Sequence, residues 1–362
     1  MNDLQKDKVV LLFGGRSTEH DASVGMHEYF RKELQHDRQV EIEAEIYISP
    51  EGDCFIYKWD APPRIGELTA ANPVTILDMV AIVKMMGCFC FSLLQGRDGE
   101  DGNIQGLAAF LDIPGNFGAV YPSCLGTHKW AQAVIAGELL QEKLKKIETA
   151  LVWANSSPAQ VASVVDRFAG RECVIKPNSL GASFFAEPVS TLSAETLLGA
   201  LERIQPFDPC VLVQERIVGR EVSCGFLVVH PDIELLPVIE VKPTSGFMGR
   251  REKSGVYERS VLPRFDPIFD LVMKATLTLA RHGGYHTAGR ADFMVDQNGD
   301  AYLLEVNSMP GLMQTSLYTE MLREAGYSIA DLVRTSIANE VHYREARRAE
   351  NEAVSKFVRT DK

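Results

Sequence analysis

The chain has 362 residues, 46% hydrophobic and 24% charged, with a formal net charge of -12. That length supports a large core and two or three domains, and the acidic balance excludes wholesale nucleic-acid binding, which calls for a basic surface. No apolar run reaches membrane-span length and the start, MNDLQKDKVV, is too polar for a signal peptide; seven scattered cysteines point to a reducing cytoplasm, not a disulfide framework.

Residues 9–13 form a short β-branched run ending in Gly14 and Gly15. Ser17, Thr18, Glu19 and His20 follow, then a helical stretch over 22–34, so the chain opens as strand, turn and helix. A second apolar run, 79–94, ends in the glycine-rich acidic loop 95–102 (QGRDGEDG). A helix is expected over 104–111, stopped by Ile113, Pro114 and Gly115, with a boundary near Pro122 ahead of a helix over 129–146. The middle of the chain predicts strands at 172–176, 211–214 and 222–229, the first leading into a loop of small residues from Asn178 to Ser183. A glycine-containing, highly charged loop spans 243–257. It is followed by a long helix over 269–282, a hairpin, and a helical region from about 329 with a charged tail over 340–362. This order predicts a mixed α+β or α/β protein of several domains instead of a single doubly wound sheet.

Segment 289–307 (GRADFMVDQNGDAYLLEVN) is the most informative. Asn298-Gly299 between alternating runs signals a hairpin. A two-residue turn there sets Gln297 opposite Asp300, Asp292 opposite Glu305 and Arg290 opposite Asn307. Residues two apart share a strand face, so these last four side chains project to one side. Two carboxylates about 5 Å apart across a ladder repel one another. Mg²⁺, which takes hard oxygen ligands together with phosphate oxygens, is their natural partner. Arg290 is placed to stabilise developing negative charge, and the turn Ser308-Met309-Pro310-Gly311-Leu312 offers backbone N–H groups as an oxyanion site. The plainer alternative is a solvated surface hairpin; two carboxylates, a carboxamide and an arginine in register speak against it.

At this point the sequence resembles the D-alanine–D-alanine ligases of the ATP-grasp superfamily. The hairpin with its S-M-P-G-L turn resembles their metal-binding core, and residues 12–23 (LFGGRSTEHDAS) their N-terminal motif. Residues 99–106 (GEDGNIQG) resemble their G-E-D-G-x-x-Q-G loop, and 174–177 (VIKP) and 214–221 (QERIVGRE) their nucleotide-binding strands. The resemblance implies an ATP-grasp fold with three domains: an N-terminal α/β substrate domain over 1–128, a central domain over 129–217, and a catalytic domain over 218–362 with an extra C-terminal helix. It implies ADP-forming ligation of two amino acids through an acyl-phosphate, with ATP as substrate and two Mg²⁺ ions, a place Mn²⁺ can also fill. It implies a homodimer, with no nucleic-acid or membrane partner.

Site roles follow from the same resemblance. Lys129 and Lys176 would touch ATP phosphates, with Ser183 in the phosphate loop. Gln214, Glu215 and Ile217 would hold adenine, and Glu221 the ribose. Asp292, Glu305 and Asn307 would bind the metal ions, and Arg290 with the Gly311 N–H would stabilise the tetrahedral intermediate. Glu19 would bind the first amino acid's ammonium, while Lys253, Ser316 and Leu317 would hold the second amino acid. For Lys129 and Glu19 the plain alternatives are an exposed helix lysine and a helix-start acid.

The sequence departs from the family pattern mainly on the amino-acid side. The usual G-S-S reads Gly181-Ala182-Ser183, the tyrosine that joins the first serine and Glu19 aligns with Ser254, the loop histidine is Gln95, and the acid before the first ATP lysine is His128. Three readings follow. One is a D-alanine–D-alanine ligase of cell-wall synthesis, and another is a related dipeptide ligase of specialised metabolism with other amino acids. The third is a non-catalytic nucleotide-binding regulator. Intact Arg290, Asp292, Glu305 and Asn307 oppose the third, and the altered amino-acid positions favour the second. Cys88 and Cys90 read as core, and His282 and His286 as structural.

Overall fold

The computed structural model describes residues 6–58, 72–140, 144–242 and 257–360. The first strand, β1 (Asp7–Gly14), carries the apolar run VVLLF and is buried along most of its length, as a strand inside a parallel sheet must be. The chain continues through α1 (His20–Leu34), β2 (Val40–Ile48), β3 (Cys54–Lys58), α2 (Ile76–Met86) and β4 (Phe89–Ser92). These strands form one sheet in the order β3-β2-β1-β4, with β1 parallel to both neighbours. The apolar run at 79–94 divides into helix and strand at Gly87, whose φ of +64° is the left-handed cap of α2.

Helices α3 (Asn103–Leu111), α4 (Val120–Thr127) and α5 (Lys129–Leu139) lead out of this unit. The second sheet is antiparallel, in the order β5-β8-β6-β7, from β5 (Thr149–Trp153), β6 (Cys173–Pro177), β7 (Glu187–Val189) and β8 (Cys210–Glu215). Helices α6 (Pro158–Arg167) and α7 (Ala194–Ile204) cover it. Each is capped by a serine, Ser157 or Ser193, and together they bury Val161, Leu197 and Ile204 against the sheet.

The third sheet has the order β11-β10-β9-β12-β13, from β9 (Gly219–Val229), β10 (Asp232–Lys242), β11 (Glu258–Val261), β12 (Ala288–Asp296) and β13 (Ala301–Asn307). Helix α8 (Phe269–Gly283) backs it, and α9 (Leu317–Glu324) and α10 (Ile329–Thr360) close the chain. The first and third sheets share one core, in which Leu11, Phe13 and Phe30 meet Leu227, Ile239 and Tyr318. Helix α5 buries Ala136 and Leu140 in the other core of the third sheet, against Val222 and Phe293. The cleft between the sheets therefore has fixed walls on these sides.

Helix α10 is anchored by the buried Asn339, which accepts from His230 N (3.1 Å) and donates to Val228 O (2.8 Å) and His286 O (3.0 Å). The rings of His286 and Tyr343 stack at 3.8 Å, and Arg344 reaches Asp112 at the end of α3 (2.7 Å). His286 is thus a packing residue. All seven cysteines are free thiols, and no described helix is long and apolar enough to cross a membrane. Asn339→Ala removes three hydrogen bonds to backbone groups. It is expected to cost about 3 kcal/mol, measured by urea unfolding; a loss under about 1 kcal/mol would show that α10 does not depend on this anchor.

Candidate active site

The hairpin β12–β13 reaches the expected pairing by an unexpected route. Its turn is not the two-residue Asn298-Gly299 connection but a three-residue loop, 297–299, closed by Asp296 N donating to Asp300 O (3.0 Å). The Asp296 carboxylate accepts from the N–H groups of Asn298 (2.9 Å) and Asp300 (3.0 Å), which favours the longer loop. Near the turn Val295 pairs with Ala301, one residue out of the predicted register. A β-bulge at Leu304 then absorbs the difference, so Asp292 does face Glu305 and Arg290 does face Asn307. The bulge also lets both Leu304 and Glu305 line the cleft.

Asp292 is nearly buried, and its carboxylate is held on three sides. Arg290 donates from Nε (2.8 Å) and Nη2 (2.7 Å), and Ser223 Oγ, on the adjacent strand β9, donates at 2.6 Å. Burial works against the Arg290 charge, but the Asp292 carboxylate and then Glu305 outweigh it and raise its pKa. Lys129 stands 3.8 Å from Glu305 and donates to Leu180 O at 2.7 Å. A lysine in the first turn of a helix opposes the macrodipole; here it points into the cleft and not to solvent. His128 explains itself as the cap of that helix, its Nδ1 accepting from Ala131 N (3.2 Å), while the buried Asn178 accepts from Trp130 N (3.0 Å).

Two adjoining cavities, of about 290 and 210 Å³, meet at Lys129, Glu221, Asp292 and Glu305. The larger has Val174, Phe184, Met294 and Leu304 among its apolar lining. Lys176, Ser183, Gln214, Glu215, Ile217 and Glu221 stand around it. Its floor loop is strained: Ala182, Ser183 and Phe185 adopt φ of +47°, +53° and +56°. Each costs about 1–2 kcal/mol for a residue with a Cβ, and such strain clusters at ligand clamps.

The smaller cavity is walled by Glu19, Gln95, Glu100, Tyr257, Arg290, Asn307, Gly311, Ser316 and Leu317, among others. Glu19 opens α1 but its side chain makes no capping hydrogen bond. Its carboxylate lies against Gly181, where a Cβ would approach Oε1 to 2.3 Å, so a side chain there would displace the carboxylate. Ser316 Oγ accepts from Met313 N (3.1 Å) at the start of α9. Lys253 and Ser254 lie outside the described residues. Tyr257 lines the cavity, with the Arg259 guanidinium 4.3 Å from its ring centroid.

Glu100, in the G-E-D-G motif, also lines this cavity, and sequence alone gives it no role. It is buried beside Glu19, and its Oε1 accepts from Gly96 N (2.8 Å). Burial first, then the Glu19 charge, raise its carboxyl well above the usual range, against the Gly96 N–H and Lys129. The signal that could have found it is the placement of an acid between two glycines in a loop that must turn tightly against the site.

Fold and cleft together define an ATP-grasp protein. The family profile described as "D-ala D-ala ligase C-terminus" matches residues 143–338, more than half of the chain. The chain belongs to the D-alanine–D-alanine ligase family. It is similar to the D-alanine–D-alanine ligase of Pelotomaculum thermopropionicum, 28% identical over 337 residues that cover 90% of this chain and 94% of the relative. Among solved structures, the fold resembles the D-alanine–D-alanine ligase of Coxiella burnetii (TM-score 0.75, 18% identity, covering 98% of this chain and 99% of the other). It also resembles the Bacillus anthracis ligase complexed with ATP (TM-score 0.68, 21% identity, covering 94% and 99%).

The raised carboxyl of Glu100 gives a pH prediction for the protein without ligands. Its contribution to stability is present below the ordinary glutamate pKa and is lost as pH rises through the raised folded value. Glu100→Gln stays neutral throughout, so it should melt a few degrees above wild type at about pH 8, with the gap closing towards about pH 5. A gap of equal size at both pH values would contradict this account.

Proposed function

We propose that the chain joins two amino acids in an ATP-dependent, ADP-forming ligation, and that the pair differs from D-alanine with D-alanine. The carrying observation is the shared face of Arg290, Asp292, Glu305 and Asn307 where a nucleotide-sized cavity adjoins a smaller polar one. Adenine would occupy the apolar interior between Val174 and Leu304, with Lys129 and Lys176 on the phosphates and Glu221 on the ribose.

Asp292, Glu305 and Asn307 offer hard oxygens, and the Asp292 carboxylate spends three of its roughly four lone-pair sites on Arg290 and Ser223. Such a set suits Mg²⁺, with the remaining oxygens of its six-fold shell coming from phosphate and water. The ion would neutralise phosphate charge.

One oxygen of the donor carboxylate attacks the γ-phosphorus of ATP; the bond to ADP breaks and an acyl-phosphate forms. The acceptor amine, after giving a proton to solvent, attacks the carbonyl carbon. Phosphate then leaves with the C–O bond electrons, and the new amide nitrogen loses its second proton. Arg290 and the Gly311 N–H would hold the developing oxyanion. The start of α9 at Ser316 and Leu317 suits the acceptor's carboxylate.

The substrate reading rests on Gln95 and Ala182, which change the smaller cavity while leaving the hairpin intact. Tyr257 brings a phenol to this cavity from a different chain position than the family pattern. The cell-wall reading keeps the same chemistry with D-alanine in both places.

Asp292→Asn and Glu305→Gln should each abolish phosphate release, at least about a hundredfold, with unchanged circular dichroism. Near-normal turnover of either at saturating Mg²⁺ would refute the hairpin assignment. Nucleotide products and dipeptides measured over a panel of D- and L-amino acids should show ADP and phosphate, with a pair other than D-alanine alone preferred by about a hundredfold. AMP and pyrophosphate would exclude an acyl-phosphate, and unmatched self-ligation of D-alanine would restore the cell-wall reading.

A further inference from the structure

The loop between β6 and β7 carries its strain in an uneven place. Ala182 and Ser183 are small, but Phe185 holds a left-handed φ of +56° with an aromatic side chain, a conformation that bulky residues adopt only under constraint. Phe184 N donates to Gly181 O (3.1 Å) and Ala186 N to Ser183 O (3.2 Å), so two successive turns coil the backbone. The coil sorts its residues: 180–184 and 186 line the larger cavity, and Phe185 does not. The Phe185 ring lies against Phe207, with centroids 5.2 Å apart and planes at 35°.

Phe207 belongs to the corner between α7 and β8, and the next residue of that corner holds the other end of the loop. The buried Asp208 carboxylate accepts from Ser179 N (2.5 Å) and from Cys210 N (3.2 Å). The corner is itself tied down, Phe207 N and Asp208 N both donating to Ile204 O (2.9 and 3.0 Å). One corner thus grips the loop twice, by a buried carboxylate at its start and by a ring at its end. The two grips differ in what they do for folding. Asp208 is buried and hydrogen-bonded, whereas Phe185 and Phe207 stay 38% and 52% exposed and bury little apolar surface for two phenylalanines. A ring pair that adds little to the core yet holds a strained backbone marks a conformation kept for a ligand.

We propose that Phe185 and Phe207 are positioning residues for the nucleotide: their contact holds the coil 181–186 in its left-handed form, and so sets Ser183 and Phe184 against ATP. This rests on the nucleotide reading above. Without the contact the loop relaxes to backbone angles that residues with a Cβ prefer, and Ser183 and Phe184 leave the cavity wall. ATP binding must then restore the strained form, so affinity falls while folding is unharmed.

The test is titration with ATP in excess Mg²⁺ without amino acids, read by calorimetry, beside the melting temperature of the ligand-free protein. Phe207→Ala should weaken ATP binding about fivefold and lower the melting temperature by less than about 2 °C. Phe207→Tyr, which keeps the ring, should recover most of that affinity. Phe185→Gly removes the ring and relieves the backbone together, so it should melt no lower than wild type and still bind ATP about fivefold more weakly. The double variant Phe185→Ala, Phe207→Ala should bind within about twofold of the weaker single variant, since both changes remove one contact. Unchanged ATP affinity in either Phe207→Ala or Phe185→Gly would overturn the assignment. Losses that multiply in the double variant, or that track a lowered melting temperature, would overturn it too. A wild-type protein that binds no ATP would overturn the nucleotide reading itself.

Discussion

The arrangement depends on burying Asp292 as a carboxylate. An isolated charge there would cost several kcal/mol, and the bidentate Arg290 pair with the Ser223 hydroxyl removes most of that cost. Three adjacent features follow from this pair. Arg290 and Asp292 must be two apart on one strand, Ser223 must face them from β9, and Glu305 must stand opposite on β13. The hairpin accordingly accepts a bulge at Leu304 to keep that register.

The cleft gathers several carboxyl groups into one space. Glu19, Glu100, Asp292 and Glu305 line a space that Lys129 and Arg290 also line, the first beside Glu305 and the second paired with Asp292. The protein holds this like-charge cluster by packing around it: the first and third sheets share one core, and α5 is rooted in the other core of the third sheet. Glu100 shows the remaining tension, since its carboxyl is driven towards the neutral form. A bound ammonium on the Glu19 side and phosphates with metal on the Lys129 side would complement this cluster.

Residues that follow the family pattern and residues that depart from it stand at different places in the cleft. The hairpin and the lining of the larger cavity follow that pattern closely. The changes fall at Gln95, Ala182 and His128, and the first two line the smaller cavity. His128 is a change of another kind, because its imidazole replaces an acid as the cap of α5 and leaves Lys129 where the cleft needs it. Tyr257, packed under Arg259, puts an aromatic hydroxyl in the region that Ser254 would have vacated in sequence.

Much of the site was legible because its groups lie close in the chain. Alternation in 289–307 put Arg290, Asp292, Glu305 and Asn307 on one face, and G-E-D-G, V-I-K-P and Q-E-R-I marked the loops and strands around them. The compensating errors in that hairpin are instructive: a short turn was expected where Asp296 caps a longer one, and the bulge that restores the register has no signature in residue type. The division of the run 79–94 into helix and strand was likewise hidden, since a buried strand and a buried helix are both continuously apolar. Chain order groups α5 with the central sheet, yet its apolar face packs on the third. What the sequence determined was the inventory of acids, bases and glycines and their local spacing, because strand alternation is a property of the backbone itself. What tertiary structure alone decided was which distant groups share a cavity. Glu19, Gln95, Glu100, Tyr257 and Gly311 meet only because the first and third sheets pack on one core, and that packing depends on side-chain volumes with no short-range code.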